Sequence, residues 1–488
     1  MPTSISNITL AVGLISLAAS VSARETATES VAALQLRETR LELQAMLDYD
    51  EGSLEGRAVL TVENRSERPA AAVPLNLGRL MTVHRVTGAD GSPLGFEQDV
   101  VTFADHPTLQ VRHVAVDLPS VLKPGASTTL TIDYSGWVVP YTETGSLYVR
   151  DRIAEEFSIL RADAYAFPVV GLPSWEANTS IPWPHFDFRA AITVPERFTV
   201  ASGGRLVERK VADGLVTWIY ESVAPAGFLV LPIAEYTLVE EGGVRVFAFP
   251  QDVAAAERIV SQTHRAFELL AKWLGPLGGP PEIAVMELPD DWGSQASLTG
   301  GIIQTASAFR DPEAVVELYH EISHLWNAPD TDAPSARWNE GLATFLQYKL
   351  ARAIDGWDSM EETVEARAAR LLAYVAQTPR CQGVPFAAYG EHRLTDLSYA
   401  TGLVMFYLLD ELAGTEALLA GLRTHYQAHR RSGGTFEDLV GHLKAASPVD
   451  LEVFFEDWVT TARWQERLSS AGSVAAMLAS YRGKYAAR

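Results

Sequence analysis

Apolar and polar residues alternate with a period of two over the first half of the chain. From about Arg37 to Tyr236, short runs of this kind are separated by clusters of glycine, proline and serine. One run places four apolar residues on the same side of an extended segment: Leu41, Leu43, Ala45 and Leu47. A period of two sends alternate side chains to opposite faces of a strand, so each run predicts a half-buried β-strand. Many short strands without a long helix predict an all-β sandwich or saddle-like domain.

The pattern changes after the glycine pair Gly242-Gly243. Apolar residues recur every three or four positions over Val253–Leu274, which predicts a helix. Ile283–Leu288 and Gly300–Gln304 are typical of short buried strands, and helix-like patterns dominate from there to the C-terminus. We therefore expect an α+β multidomain chain, in which an all-β domain over residues 24–243 precedes a mainly helical domain over residues 244–488.

The first 23 residues have the character of an export signal. Thr9–Val21 is apolar and uncharged, but it is shorter than the roughly 20 residues that a membrane-spanning helix needs. Small residues follow at Val21-Ser22-Ala23, as they do at signal-peptidase sites. We expect residues 1–23 to be a signal peptide, and the mature chain to be secreted or periplasmic without a stable membrane span. Because Met1–Asn7 contains no lysine or arginine, an uncleaved anchor and a disordered N-terminus stay open as alternatives.

The composition excludes some classes of protein. The chain has 39 Lys and Arg against 61 Asp and Glu, a net charge of −22, and it contains no basic run. Such a chain repels a polyphosphate, so we expect no nucleic-acid partner. The single cysteine, Cys381, rules out an intrachain disulfide framework, so stability must come from core burial.

The segment His320-Glu321-Ile322-Ser323-His324 is an HExxH motif in a helical context. Asp311-Pro312 is a candidate helix start, and Pro329 is expected to end the helix. Four residues advance about 400° around a helix, so His320 and His324 lie on one face, within reach of one metal ion. Imidazole pairs at this spacing suit Zn²⁺. Glu321 lies about 100° away, where its carboxylate can act as a general base toward an activated water.

Glu340 is the candidate for a third ligand. It begins a second helix-like run in Asn339-Glu340-Gly341, and the prolines before it allow the chain to turn back toward the first helix. Two histidines and one glutamate form a known catalytic zinc set, so the sequence predicts one Zn²⁺ ion and metal-assisted hydrolysis. His425 and His429 are also four residues apart, but no glutamate follows His425. We interpret them as a packed or solvated pair.

These motifs resemble those of one enzyme family. His320–Asn327 with Trp338–Ala343 is similar to the zinc helix and glutamate helix of the aminopeptidase N family of gluzincin metallopeptidases, which includes the leukotriene hydrolases. Ser398–Gly402 resembles the family segment whose tyrosine hydrogen-bonds the oxyanion, and Asp450–Val459 resembles the end of its catalytic domain. Residues 183–204 resemble the last strands of its β-domain. The glycyl aminopeptidase family has a similar zinc-binding motif and is a second family that the sequence resembles.

The resemblance implies a fold, a cofactor and a substrate class. It implies an N-terminal β-sandwich or saddle domain followed by a thermolysin-like zinc-peptidase domain that acts on a peptide or protein substrate. It also gives Tyr399 the role of oxyanion donor, which suits a phenol because it is neutral at pH 7. Gly300 and Gly301 belong to a strand that we expect to be an edge strand, available to pair with the backbone of an extended peptide.

Three features depart from the family pattern. The segment between the second histidine and the third ligand, Leu325–Asn339, is shorter than is usual, and the chain stops without the large C-terminal helical domain of many relatives. Leu298 stands near the place of the family's glutamate that grips the substrate's α-amino group, although Asp290 or Asp291 is a conceivable replacement. We therefore expect a zinc metallopeptidase, aminopeptidase-like but with altered N-terminus recognition. Cleavage at ends or internally stays open, and the alternative is a non-catalytic peptide-binding or scaffold protein that retains the fold.

Overall fold

A computed structural model describes residues 35–175, 185–278, 282–297 and 301–486. The expected signal peptide over residues 1–23, Leu298 and Gly300 lie outside these ranges. Within them, no helix combines the length and the apolar character needed to cross a membrane.

The first part of the chain is built from fourteen strands within the described residues. Their bounds are β1 Leu36–Asp48, β2 Ser53–Asn64, β3 Ala70–Gly78, β4 Met81–Gly88, β5 Phe96–Phe103, β6 His106–Leu122, β7 Ser127–Trp137, β8 Ser158–Arg161, β9 Val169–Val170, β10 Asp187–Pro195, β11 Thr199–Val200, β12 Arg205–Ala212, β13 Leu215–Glu221 and β14 Val230–Ala234. They form a seven-stranded sheet in the order β12-β13-β10-β1-β2-β7-β4, a four-stranded sheet β5-β6-β3-β9 and a three-stranded sheet β11-β14-β8.

The period-two pattern decides which side chains these sheets bury. Leu41 and Leu43 are fully buried, and the polar residue between them, Glu42, lies on the other face of β1. They share one apolar core with Val73 and Leu75 of β3 and Val114 of β6, so side chains of the seven-stranded and four-stranded sheets pack together. Burial of such side chains contributes roughly 1.5–3 kcal/mol each before the entropy of ordering is subtracted. The predicted all-β N-terminal part is confirmed.

A fourth sheet, of five strands, begins the other part of the chain. Its strands are β15 Thr237–Glu241, β16 Val244–Ala248, β17 Ile283–Leu288, β18 Gln295–Ser297 and β19 Gly301–Thr305, in the order β15-β16-β17-β19-β18. β15 and β16 form a hairpin through Gly242-Gly243. The boundary expected between residues 243 and 244 therefore falls inside a hairpin whose two strands both belong to this sheet.

Helices cover this sheet and continue to the C-terminal end. Their bounds are α1 Val253–Leu274, α2 Ser307–Arg310, α3 Val316–His324, α4 Trp338–Asp355, α5 Met360–Gln377, α6 Ser398–Ala413, α7 Thr415–His429, α8 Phe436–Ala446, α9 Glu452–Phe455, α10 Arg463–Ala471 and α11 Val474–Ala486. One large apolar core joins β16 and β17 to α1, α3, α4 and α6. The helix predicted over Val253–Leu274 is confirmed to the residue.

The helix that carries the HExxH motif is shorter than predicted. Asp311 does not begin it: its Oδ1 accepts the backbone N–H of Glu313 at 2.9 Å in a turn, and the helix starts at Val316. After His324, the amides of the next three residues each bond to the carbonyl three positions back, so the chain tightens and leaves the helix well before Pro329. Nine regular residues therefore present both histidines.

Candidate metal centre

Three side chains converge between α3 and α4. The Nε2 atoms of His320 and His324 lie 3.1 Å apart, and each lies 3.3 Å from Oε2 of Glu340. The three side chains are between 8% and 16% exposed, so bulk water screens their charges poorly. The structure thus brings together all three ligands that the sequence predicted.

This arrangement fits a zinc ion. Bonds of about 2.0–2.1 Å in tetrahedral geometry place neighbouring ligand atoms about 3.3 Å apart, which is the spacing found here. Two imidazole lone pairs and a carboxylate oxygen, all acceptors, would repel one another at 3.1–3.3 Å unless protons or a cation lie between them. The donor set of two histidines and one glutamate is one that zinc prefers.

Gln347 fixes the orientation of His320. Its Oε1 lies 2.9 Å from Nδ1 of His320, and a carbonyl oxygen can only accept, so Nδ1 carries the proton. The lone pair of His320 is thereby left on Nε2, the atom that faces Glu340. Gln347 stands two turns after Glu340 on α4, so one face of that helix supplies a ligand and the group that orients another ligand.

Asn327 does the same for His324. Its side-chain amide lies 2.8 Å from Nδ1 of His324, while its Oδ1 is buried with no partner among the described residues. Exchanging the amide's N and O positions lets Oδ1 accept from Nδ1–H and leaves the lone pair on Nε2 of His324, toward His320. We assign this orientation because it satisfies the histidine tautomer that a metal ligand requires.

Charge in the site favours an ionised Glu340. Burial alone would raise its pKa, but His324, His320 and Arg337 outweigh burial and hold the pKa of Glu340 well below its usual range. Arg337 donates from Nη2 to Oε1 of Glu340, which leaves Oε2 directed at the histidines. Arg337 precedes α4 in a left-handed conformation, with φ of 53°.

Glu321 lies beside this cluster and is 8% exposed. Burial raises the pKa of Glu321 to about 8, with His320 lowering it and Glu340 and Glu317 raising it. A divalent cation at the three ligands acts in the opposite direction, toward the carboxylate form. Glu321 is therefore a carboxyl group whose proton affinity lies near neutrality, as a general base requires.

Tyr399 stands over the site from α6. Its ring lies nearly parallel to that of His320, with centroids 5.8 Å apart, and the Arg337 guanidinium is 5.9 Å from its centroid. Burial, followed by the charge of Glu340, raises the pKa of Tyr399 far above its usual range. At neutral pH it is a phenol that can donate a hydrogen bond, and 37% of the residue remains exposed to the cleft.

The expected edge strand is a different one. Gly301–Thr305 pairs with β17 on one side and with β18 on the other, so the prediction that it forms the sheet edge is wrong. The edge belongs to β18, Gln295–Ser297, which packs near α3. The sequence could not predict β18 as the edge strand, because a strand of only three residues is too short to show a period of two. Substrate contact by Gly301 stays a prediction, and Gly300 lies outside the described residues.

The N-terminal part contributes Tyr148, which the sequence did not single out. A Cβ on Gly293 would lie 2.9 Å from Cβ of Tyr148, so this tyrosine packs against the segment that leads into β18. Although 42% of Tyr148 is exposed, partial burial raises its pKa to about 12, and the charges of Asp163, Arg161 and Arg337 also act on it. Arg161, itself buried and paired with Asp151, donates to the Tyr148 carbonyl at 2.9 Å.

The acids offered as replacements for the missing amino-group anchor are engaged elsewhere. Asp290 accepts from the backbone N–H of Ser307 at 2.8 Å and lies 3.5 Å from Arg310. Asp291 is exposed and lies 3.8 Å from Arg150. Glu317 is a third acid, one turn before Glu321 on α3, where its Oε2 accepts from the hydroxyl of Thr305 at 3.2 Å.

Two curated relatives are similar to the chain at low identity. Endoplasmic reticulum aminopeptidase 1 of Homo sapiens is 22% identical over 427 residues, which cover 80% of this chain and 43% of that protein. Probable aminopeptidase 2 of Sulfurisphaera tokodaii is 23% identical over 151 residues, 29% of this chain and 19% of that protein. The chain thus spans less than half of the length of these relatives. No protein-family model matches it.

The M1 zinc metallopeptidase of Deinococcus radiodurans is similar in structure. Its crystal structure gives a TM-score of 0.60 at 19% identity and covers 84% of this chain and 90% of that one. A mutant of it bound to a Tyr-Ser-Ala substrate gives a TM-score of 0.63 at 20% identity, with 87% and 94% covered.

The fold of the described residues is similar to that of an M1 zinc metallopeptidase, and three potential metal ligands converge within it. The chain's resemblance to the aminopeptidase N-like gluzincins, expected from the motifs, is confirmed. The expected α+β fold class is confirmed as well, with β-sheets preceding a thermolysin-like, mainly helical part.

Proposed function

We propose that the chain is a zinc-dependent metallopeptidase, aminopeptidase-like but with altered recognition of the substrate's N-terminus. The observation that carries this proposal is the convergence of His320, His324 and Glu340 at 3.1–3.3 Å, next to a buried Glu321. A zinc ion held by these three ligands would supply Lewis acidity and would lower the pKa of the attacking water toward about 7.

Glu321 moves the protons of the reaction. Its carboxylate accepts a proton from the attacking water and delivers it to the nitrogen of the departing amine. A group with a pKa near neutrality serves both steps, because it takes up a proton and releases it within one turnover. A scaffold protein would have no need of a carboxyl group buried in this place, which favours an enzyme over the non-catalytic alternative.

Tyr399 and the sheet edge act on the substrate. The Tyr399 hydroxyl donates to the oxygen that becomes negative when the peptide carbonyl is attacked, and removing such a donor costs about 10²–10³ in rate at comparable sites. The β18 edge offers backbone groups to an extended peptide, which would add to the sheet as a further strand beside α3. Tyr148 of the N-terminal part lies against Gly293, just before that edge strand.

Glu317 supports the altered recognition. It lies one turn before Glu321 on the same face of α3, is exposed, and its negative charge acts on Glu321. Leu298 cannot pair with an ammonium group, and Asp290 and Asp291 already have partners. We assign to Glu317 the attraction of a cationic group of the substrate, either the α-ammonium group or a basic side chain.

Paired peptides test this function. The zinc-loaded enzyme is incubated with one peptide sequence carrying either a free or an acetylated N-terminus, each with a lysine or a norleucine at one position. Loss of hydrolysis on chelation and its recovery with zinc are expected. Preference for the free amine that disappears in Glu317→Gln makes the protein an aminopeptidase. Equal turnover of free and acetylated peptides contradicts the aminopeptidase assignment, and no hydrolysis of any peptide contradicts the peptidase itself.

We also propose that the protein is exported. Support comes from the uncharged apolar run and the small residues over positions 1–23. Expression of the full chain in a bacterial host, followed by N-terminal sequencing of the periplasmic fraction, tests this. A mature N-terminus at Arg24 is expected, and a chain retained in the cytoplasm with its N-terminus intact contradicts it.

A further inference from the structure

Three histidines of α7 and α8 meet beside Trp338, the first residue of α4, apart from the metal centre described above. His425 and His429 lie one turn apart on α7, and His442 joins them from α8. The Nε2 atoms of His429 and His442 are 3.3 Å apart, and ligand atoms of all three imidazoles lie within 4.8 Å of one another. The sequence analysis interpreted His425 and His429 as a pair and missed His442, because His442 lies on the next helix, after a loop.

The hydrogen bonds of this cluster leave lone pairs pointing inward. Nδ1 of His429 lies 2.9 Å from the Gly433 carbonyl, so it donates its proton there and Nε2 becomes an acceptor facing His442. His425 is 3% exposed, and neither of its ring nitrogens has a partner among the described residues. A buried polar group without a partner destabilises the fold, so this arrangement calls for a ligand.

The charges around the cluster suit a cation. Burial, then His429 and His442, lowers the pKa of His425 to about 4, and burial followed by His429 lowers the pKa of His442. A neutral imidazole is the form that binds metals. Asp438, one turn before His442 on α8, brings a carboxylate to the same side.

We propose that His425, His429 and His442 bind a second divalent transition-metal ion, separate from the metal centre formed by His320, His324 and Glu340. Imidazole nitrogens are borderline ligands that favour Zn²⁺ and, at equal supply, Cu²⁺ or Ni²⁺ over Mg²⁺ or Ca²⁺. The 3.3 Å between His429 and His442 already equals the ligand spacing of a tetrahedral site. Binding supplies the missing partner to His425.

The position of this site gives it a bracing role. The loop after α7 is bonded to the connection between α3 and α4: Gly434 N–H donates to the Pro329 carbonyl at 3.0 Å, and Thr331 N–H donates to the Gly434 carbonyl at 3.2 Å. His425 also packs edge-on against Trp338, with centroids 5.6 Å apart, two residues before Glu340. A metal on the three histidines therefore stiffens the short connection between two ligands of the first metal centre.

Counting bound metal tests the proposal without reference to peptide hydrolysis. The full chain is stripped, loaded with Zn²⁺, passed through a desalting column and assayed for zinc per chain. Two equivalents are expected for the wild type, and one for His320→Ala/His324→Ala. Adding His442→Gln to that double variant should remove the remaining equivalent, whereas adding His264→Gln, a half-buried histidine on α1, should not.

Titration with Co²⁺ gives a second readout, which leaves the ligands of the first metal centre intact. The wild type should take up two equivalents, each adding the strong visible absorption of tetrahedral Co²⁺, and His442→Gln or His429→Gln should take up one. A single equivalent in the wild type, or a second equivalent that persists in both histidine variants, overturns the proposal. Because the first centre is counted separately in each case, failure of the second site leaves the proposed peptidase function unaffected, and the reverse also holds.

Discussion

Gly341 and Gly402 touch where α4 crosses α6. A Cβ on Gly402 would lie 2.5 Å from Cα of Gly341, and a Cβ on Gly341 would lie 2.5 Å from Cα of Gly402 and 2.7 Å from the Ser398 carbonyl oxygen. Glu340 directly precedes one glycine, and Tyr399 stands one turn before the other. This contact between two backbones therefore sets the distance between a metal ligand and the proposed oxyanion donor.

Replacing Gly402 by alanine should harm activity more than stability. The new methyl group meets backbone that cannot yield, so the two helices must separate, at a cost of about 1–3 kcal/mol. Separation also moves Tyr399 away from the metal centre, and kcat should fall by about 10²-fold or more, as for loss of an oxyanion donor. Thermal unfolding and peptide kinetics on one preparation measure both effects.

Gly483→Ala is the matched control for this change. Gly483 is also helical, but nothing lies within 4 Å of an added Cβ. Alanine there should stabilise α11 by roughly 0.5–1 kcal/mol and leave kcat unchanged. If Gly402→Ala behaves like Gly483→Ala, the glycine contact does not set the geometry of the site.

Gln347 should act on zinc affinity through His320. Gln347→Leu removes the acceptor of Nδ1–H, so His320 loses its fixed tautomer, and affinity should fall about 10–100-fold. Gln347→Glu keeps an acceptor at the same place and should retain affinity. Competition with a chromophoric chelator measures this. Equal affinity of the leucine and glutamate variants would mean that the hydrogen bond does not orient His320.

Glu287 should make the folded chain less stable as the pH rises. It is fully buried on β17, and burial raises its pKa from 4.5 to about 9. The backbone N–H of Phe249, which donates to Glu287 at 2.7 Å, lowers the pKa but does not outweigh burial. Between about pH 4.5 and 9 the folded chain holds a proton that the unfolded chain has released. The contribution of the protonated group is complete below the unfolded pKa and is lost on the way up to the folded pKa.

Glu287→Gln, a neutral mimic of the protonated acid, should remove this slope. Above pH 6 the variant should unfold at a higher temperature than the wild type. The difference between the two free energies of unfolding should grow by at most about 1.4 kcal/mol per pH unit. Melting curves from pH 5 to 8.5 provide the measurement. If the difference in melting temperature between the two proteins is the same at every pH, Glu287 has the same pKa in the folded and unfolded states.

The ion pair of Arg161 and Asp151 should be worth more than any exposed pair of the β-domain. Both side chains are at most 1% exposed, with Nη2 and Oδ1 2.7 Å apart. Asp151→Asn leaves the guanidinium buried without its partner, which costs about 3–5 kcal/mol. It should also loosen the carbonyl of Tyr148, which accepts a hydrogen bond from Arg161.

Asp133→Asn serves as the comparison for Asp151→Asn. Arg57 and Asp133 form a pair on β2 and β7 whose side chains are 53% and 28% exposed. Loss of such a pair should cost no more than about 1 kcal/mol. Thermal unfolding of both variants decides: similar losses for the two would contradict the assigned importance of burial.

The sequence predicted those parts of the site that depend on local spacing. The histidine pair follows from the 3.6-residue turn, and Glu340 follows from a second helix near the first. The same helical period places Gln347 on the face of Glu340, two turns later. Its role depends on the contact of its oxygen with His320, which the sequence does not show. The β18 edge and the meeting of His442 with α7 depend on tertiary packing, which no local pattern reports. The start of α3 was misplaced because Asp311 caps a turn as readily as a helix.

The most direct test of the proposed peptidase compares the wild type with Glu321→Gln. Both proteins, as residues 24–488, are loaded with zinc, assayed for metal at the first centre, and incubated with a mixed peptide library whose product termini are sequenced. We predict equal zinc in both, with new termini from the wild type and a loss of at least about 10²-fold in the variant, as expected for a removed general base. Equal zinc with no cleavage by either protein would contradict the account and favour the scaffold alternative.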